Sequence, residues 1–313
     1  MKLGVMIEVQ EGIGWPQWQR IVKAADDLGF ESLWRSDHFF SFGADRTKDC
    51  IETFTSLTYA ATASTRIKFG TLVASMTFRP PAMVARQAAA IDALSGGRLI
   101  LGIGAGWNQD EHDAFGIELP EPKRRLDMLE ESAVVIRSLL QGDDVSFKGK
   151  HYQLKNAFVN PKPAQQPLPI LIGGSGEKRL LQIVARHAEQ WNMPAQSVEV
   201  YRQKVAALAM HCEREKRDPA TIERSLMVGY IAASTDAEVK ALVERAIANA
   251  SPRLRERLDA GEKLPWLIGT PSQLIEQIQT WEAEGVSRLM LQSFTEPDYD
   301  VLELISKEVL PKV

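Results

Sequence analysis

With 313 residues, 44% apolar and 25% charged, the chain has the make-up of an ordinary globular protein and can bury a large core without disulfide staples. Its 37 basic and 41 acidic side chains are interleaved, leave a net charge of −4 and form no basic stripe, which excludes nucleic acid as the expected partner. Cys50 and Cys212 show no CxxC spacing, which argues against a metal knuckle or disulfide framework and for a reducing compartment. The opening MKLGVMIEVQ is too poor in apolar residues for a secretory leader, and no 18-residue apolar run occurs. The expected location is the cytoplasm, with no membrane partner.

Strand-like and helix-like runs alternate from the start. KLGVMIE is an apolar strand; residues 15–30 carry Trp18, Ile21, Val22, Ala25 and Leu28 at helical spacing, with Pro16 where a first turn accepts it. ESLWRSDHF predicts a strand, 51–64 a helix, IKFGTLVAS a strand, and 81–95 a helix closed by Gly96 and Gly97. RLILGIGAG is nearly all apolar, as a strand covered on both faces should be. A long amphipathic helix follows over 124–142. PILIGG and QWNM then alternate with helices at 177–188 and 197–216. RSLMVGYIAAS and SRLMLQSF alternate with helices at 236–250 and 271–285.

Eight strands, most followed by a helix, imply a parallel sheet. Two average domains would also fit the length, but no composition break divides the chain. The expected fold is therefore one (β/α)8 TIM barrel over 1–313, with insertions at its C-terminal mouth. Two stretches break the rhythm: 143–167, with a hairpin in VSFKGKHYQL, and 251–270. Both are candidates to cover the mouth, or else plain surface insertions. The helix over 51–64 is small and apolar on more than one face, which suits either burial in the monomer or a homodimer.

In a barrel the site lies at the C-terminal strand ends. These ends carry Glu8, Asp37 and His38, 72–75 followed by Arg79, then Gly104, Ala105, Gly106, Trp107 and Asn108, then Gly173, Gly174, Ser175 and Gly176, then Trp191 and Asn192, and finally 292–294. His38 is the only histidine at a predicted strand end, and imidazole carries protons near neutral pH. His112, His151, His187 and His211 have no metal-ligand spacing and are assigned to structure. GAGWNQDE offers glycines that let a planar ligand approach the backbone, Trp107 as a pocket wall, and Asn108 or Asp110 as a cap. GGSGEK reads as a single-phosphate cup: main-chain N–H groups and the Ser175 hydroxyl, with Glu177 and Lys178 opening a helix. It lacks the Lys-Ser/Thr of a Walker loop and the GxGxxG of a dinucleotide fold, and a glycine turn with no ligand is the alternative.

The segments at 33–40, 67–117, 124–132, 168–192 and 268–292 together resemble the bacterial luciferase-like monooxygenases, in particular their deazaflavin-dependent branch. The likeness is weak over 195–265. It implies a (β/α)8 barrel holding coenzyme F420, or alternatively FMN, at the C-terminal mouth, and an oxidoreductase that passes a hydride between coenzyme and a small organic molecule. It further implies the phosphate on Gly173, Gly174, Ser175 and Gly176, and Asp37 and His38 facing the ring, with His38 donating a proton or polarising it. A non-proline cis peptide is implied at Leu72–Val73. Ala105, Gly106 and Trp107 would line the cofactor site, and Arg79 and Trp191 the substrate pocket. The sugar-phosphate dehydrogenases of that branch carry a glutamate where Trp107 stands, which speaks against their reaction here. An FMN-dependent monooxygenase and a flavin-binding barrel without turnover are the alternatives. An aldolase or isomerase is disfavoured because no lysine falls at a predicted strand end.

Overall fold

The computed structural model describes residues 1–248, 255–256 and 264–313. Side chains alternate along an extended backbone, and the strands sort their apolar residues by that parity. In β1 (Lys2–Ile7), Leu3, Val5 and Ile7 join the layer shared with the helices, whereas Met6 joins a separate cluster. That second cluster also holds Trp34 of β2 (Ser32–Arg35), Leu72, Ile100 of β5 (Leu99–Gly104), Leu171 of β8 (Ile170–Gly173) and Met290 of β12 (Arg288–Ser293). One cluster fills the inside of a ring of strands, and the other lies between ring and helices. Strands buried on both sides therefore read as continuous apolar runs.

The ring runs β1, β2, β3 (Lys68–Thr71), β5, β8, β9 (Gln190–Pro194), β10 (Glu223–Ala232) and β12, which returns to β1. Every neighbouring pair is parallel, and Lys2 opposite Arg288 through Ile7 opposite Ser293 closes the circle. This is the expected (β/α)8 barrel. Helices α1 (Trp15–Asp27), α2 (Thr53–Ala63) and α3 (Pro81–Ser95) cover its first strands. Along α1, Trp18, Ile21, Val22 and Ala25 are buried, as the spacing predicts, and Trp18 also donates to the Ser56 carbonyl at 3.0 Å. Each such apolar side chain of Val or Leu size contributes about 1.5–3 kcal/mol. The circuit continues with α4 (Gln109–Phe115), α5 (Pro122–Gln141), α6 (Leu180–His187), α7 (Val198–Arg214), α8 (Asp236–Ala248) and α9 (Pro271–Ala283).

Four places depart from the sequence reading. The second strand ends at Arg35, so Asp37 and His38 stand on the loop beyond it. The third strand is broken into β3 and β4 (Ala74–Ser75), with a cis peptide at Leu72–Val73 between them. Position 102 opposite must be glycine, because the Thr71 carbonyl lies 1.9 Å from where a methyl on it would be. A short strand, β11 (Leu267–Gly269), adds to β10 outside the ring, and a last helix, α10 (Tyr299–Glu308), follows β12. The hairpin expected in 143–167 is present as antiparallel β6 (Val145–Lys148) and β7 (Gln153–Ala157). Its tip is held on α5, where Glu131 accepts the N–H groups of Lys150, His151 and Tyr152. Of the second expected insertion, 251–254 and 257–263 lie outside the described residues. Among the described residues no helix is long and apolar enough to cross a membrane.

Candidate active site

A cavity of about 850 Å³ opens at the C-terminal ends of the strands. Of the residues singled out from the sequence, Asp37, His38, Leu72, Val73, Ala105, Gly106, Trp107, Gly173, Gly174, Ser175 and Gly176 all line it. Arg79 and Trp191 do not.

His38 is held by a residue the sequence did not reveal. Its Nδ1 lies 2.8 Å from Oε2 of Glu111, whose other oxygen accepts the Phe39 N–H at 2.6 Å. Glu111 is fully buried, on the first turn of α4. A carboxylate only accepts, so the imidazole proton sits on Nδ1 and Nε2 is left for a ligand. Phe42 and Trp107 meet the ring edge-on, with centroids at 4.6 and 5.9 Å. Nothing in the sequence singles Glu111 out: it follows by three residues Asn108, the cap that accepts the Asp110 N–H at 3.1 Å, where an acid suits the start of a helix. Its partner 73 positions back is set only by the fold.

Asp37 plays a different part. Its buried carboxylate takes Arg79 Nη1 and Nη2 at 2.6 and 3.0 Å, the Thr53 hydroxyl at 2.7 Å and the Ser75 N–H at 3.0 Å. Burial pushes its pKa up, but the Arg79 charge and these hydrogen bonds outweigh that and hold it below the usual carboxylate value. With its lone pairs engaged, Asp37 fastens the His38 loop to α2 and β4 and presents no free acceptor to a ligand. Arg79 is turned away from the cavity: it clamps Asp37, reaches Glu52 at 3.3 Å and lies over Phe54.

The floor is made where Val73 meets glycine. Methyl groups added to Gly104 and Gly173 would come within 2.5 and 2.8 Å of Val73 side-chain carbons. Those two glycines admit the Val73 side chain into the barrel mouth. Gly106 follows with φ +74, and its carbonyl accepts Arg125 Nη1 at 2.7 Å. Nε of Arg125, in the first turn of α5, is buried with no hydrogen-bond partner among the described residues, and Arg125 is not among the residues lining the cavity.

The glycine loop is shaped by three separate demands. Gly173 gives way to Val73; Gly174 has φ +131, a region side chains avoid, and its N–H donates to the Asn192 carbonyl at 2.8 Å. Gly176 meets neither demand: its φ is not positive, and nothing is nearer to an added methyl than Leu180 Cβ at 3.5 Å. The amides of Ser175 and Gly176 donate to no acceptor among the described residues, which suits an anion. The helix does not open at Glu177 and Lys178 as expected: a turn covers 177–179 and α6 begins at Leu180. Glu177 is drawn aside by Lys204 at 2.7 Å and by His211 on its carbonyl at 2.8 Å, and Arg179 by Asp127 and Glu130. Trp191 stands behind the loop, donating to the Gly174 carbonyl at 2.8 Å and stacking on Tyr201. Parity explains its absence from the cavity: Trp191 faces the helices, while Asn192, next along the strand, faces in.

An amide-lined loop, a Val73 floor backed by glycines and a tethered histidine thus surround one cavity. They fit a ligand with an anionic end and a planar ring.

The profile of the family described as luciferase-like monooxygenase matches residues 1–288. An F420-dependent glucose-6-phosphate dehydrogenase of Amycolatopsis mediterranei is 28% identical over 316 residues, spanning 92% of each chain. A 5,10-methylenetetrahydromethanopterin reductase of Archaeoglobus fulgidus is 27% identical over the full length of both. Among solved structures, the coenzyme F420-dependent tetrahydromethanopterin reductase of Methanopyrus kandleri superposes with a TM-score of 0.81 at 21% identity, over 99% of this chain and 98% of that one.

Proposed function

The chain belongs to the luciferase-like monooxygenase family, and is by that membership an oxidoreductase; from this we propose that it takes the deazaflavin coenzyme F420 and passes a hydride between it and a small organic substrate. The observation that carries the reading is the His38–Glu111 pair, which leaves His38 Nε2 facing the cavity that the Val73 floor and the glycine loop share. When bound, the deazaflavin supplies a hydride carrier that reacts poorly with oxygen.

The chain's own residues then divide the remaining work. The Ser175 and Gly176 amides and the Ser175 hydroxyl hold the phosphate, with Lys178 on the following turn adding positive charge. Val73 sets the plane in which a ring can lie, because glycines on β5 and β8 leave it no room to retreat. His38 Nε2 takes or gives the proton that accompanies hydride transfer, and Glu111 fixes the tautomer that makes this possible. Asp37 and Arg79 keep the loop carrying His38 in place.

A sequence relative whose name specifies F420, aligned over 92% of the chain, favours the deazaflavin over FMN. The phosphate loop alone would serve either. The deciding measurement is an absorbance titration of the purified protein with each coenzyme. F420 should saturate, with FMN weaker by about tenfold or more. Saturation by FMN with none by F420 would move the chain to the flavin monooxygenase reading.

A further inference from the structure

The coenzyme reading leaves the outer half of the cavity for substrate, and the charges there are unevenly placed. Among the described residues lining the cavity, the only lysine and arginine are Lys178 and Arg179, both on the turn after the glycine loop. Besides Asp37 and Glu177, which are paired with Arg79 and Lys204, the lining carries the carboxylates Glu8, Glu11 and Glu111. Each is already satisfied. Glu8 accepts from Gln10 at 3.0 Å and Gln292 at 2.5 Å; Glu11 accepts from the Ser41 hydroxyl at 2.7 Å and the Phe42 N–H at 3.0 Å; Glu111 holds His38. Lys48, the one cation beside these three carboxylates among the described residues, is already paired with Glu11 at 3.5 Å, so a substrate phosphate or carboxylate placed there would meet no free cation and three like charges, and an unpaired anion is costly to take out of water.

The rim has the opposite character. Phe42, Trp107 and Phe294 line the cavity and are 45%, 63% and 52% exposed. Large apolar side chains gathered at one opening mark a ligand surface. Phe42 and Trp107 pack edge-on to the His38 ring and edge-on to each other at 5.4 Å, and with Phe294 they wall an aromatic slot beside His38.

Resting on the coenzyme reading, we propose that this slot binds an uncharged, ring-bearing alcohol or carbonyl compound, with its oxygen at His38 Nε2, and rejects phosphorylated and carboxylated substrates. The test compares 1-phenylethanol and acetophenone with mandelate, in which a carboxylate replaces the methyl group of 1-phenylethanol, and with glucose 6-phosphate. Binding is read by isothermal titration calorimetry on the protein alone and on protein saturated with F420. Saturation with F420 is established separately by absorbance, so failure of the coenzyme reading is seen in that titration and failure of the slot in the calorimetry. One of the neutral compounds should saturate, with mandelate about tenfold or more weaker and glucose 6-phosphate unbound. Trp107→Arg should shift the affinity ratio towards mandelate by about tenfold, and Phe294→Arg provides the same comparison should the first variant fail to fold. Mandelate or glucose 6-phosphate binding as tightly as the neutral compounds would overturn the proposal. So would a failure of both neutral compounds to saturate.

Discussion

His38 makes one side-chain hydrogen bond to the protein, and that bond decides what its ring offers to a ligand. Because Glu111 accepts from Nδ1, the lone pair of the neutral ring is placed on Nε2. Glu111 is therefore a positioning residue, and the consequence is visible without turnover. In a spectrum of 15N-labelled protein at a pH where the ring is neutral, His38 should be the Nδ1–H tautomer. Glu111→Ala should return it to a mixture while leaving the other four histidines unchanged. An unchanged His38 signal in the variant would detach Glu111 from this role. Asp37 is the useful contrast. Adjacent to His38 in sequence and a carboxylate like Glu111, it is closed off by Arg79, Thr53 and Ser75. Two neighbouring residues that look alike as catalytic candidates are separated only by which side-chain atoms find partners.

Loops and strand ends show the same dependence at the scale of elements. The three glycines of 173–176 look equivalent in sequence, yet each answers a different constraint, and they predict different variants. Gly174→Ala forces a side chain into φ +131 and to within 2.7 Å of Leu180 Cδ2, so it should destabilise the fold by about 1–3 kcal/mol. Gly176→Asp meets neither obstacle. Its melting temperature should stay near wild type while coenzyme affinity falls about tenfold or more, because a carboxylate now faces the phosphate. Thermal unfolding and the coenzyme titration, run on both variants, check this. Wild-type affinity in Gly176→Asp would move the anion to another part of the cavity. Much of this architecture was legible in advance. Apolar runs and helical spacing located all eight ring strands, and the glycine clusters marked the loops that line the cavity. What stayed hidden shares one cause. Glu111 and Phe42 reach the site from a first helical turn and from a loop, and only the closed barrel brings them to one opening. Trp191 was misplaced for the converse reason, since a strand-end position says nothing of which face a side chain takes until the register is known.

For the molecule as a whole, two buried ion pairs fasten the barrel at opposite ends. At the mouth, Asp37 and Arg79 join the β2 loop to α2 and β4. At the base, Arg288 of the closing strand is fully buried inside the ring. It grips Glu31 at 2.8 and 3.0 Å and Gln190 at 2.9 Å, tying the last strand to the start of the second and to β9. Burial pushes Glu31 up, but its hydrogen bonds with Arg288 and the Arg288 charge bring it below its ordinary value of 4.5; Asp37 likewise lies below its ordinary 3.8. The sign of the pH effect follows. A carboxyl whose pKa is lowered on folding contributes stability that is fully present above its unfolded value and is lost as pH falls through the folded one. Stability measured by urea unfolding should therefore be level from neutral pH down to about 5 and decline steeply below about 4.5. Asp37→Asn should lower stability at pH 7 by about 3 kcal/mol, since Arg79 is left with only the half-exposed Glu52 as counter-charge. As pH falls below about 3.8 and on through the lower folded value, the variant and wild type should approach one another, because acid finally gives the wild type the same neutral side chain. Parallel pH profiles that never approach one another would show that the Asp37 clamp is not what holds the mouth in shape.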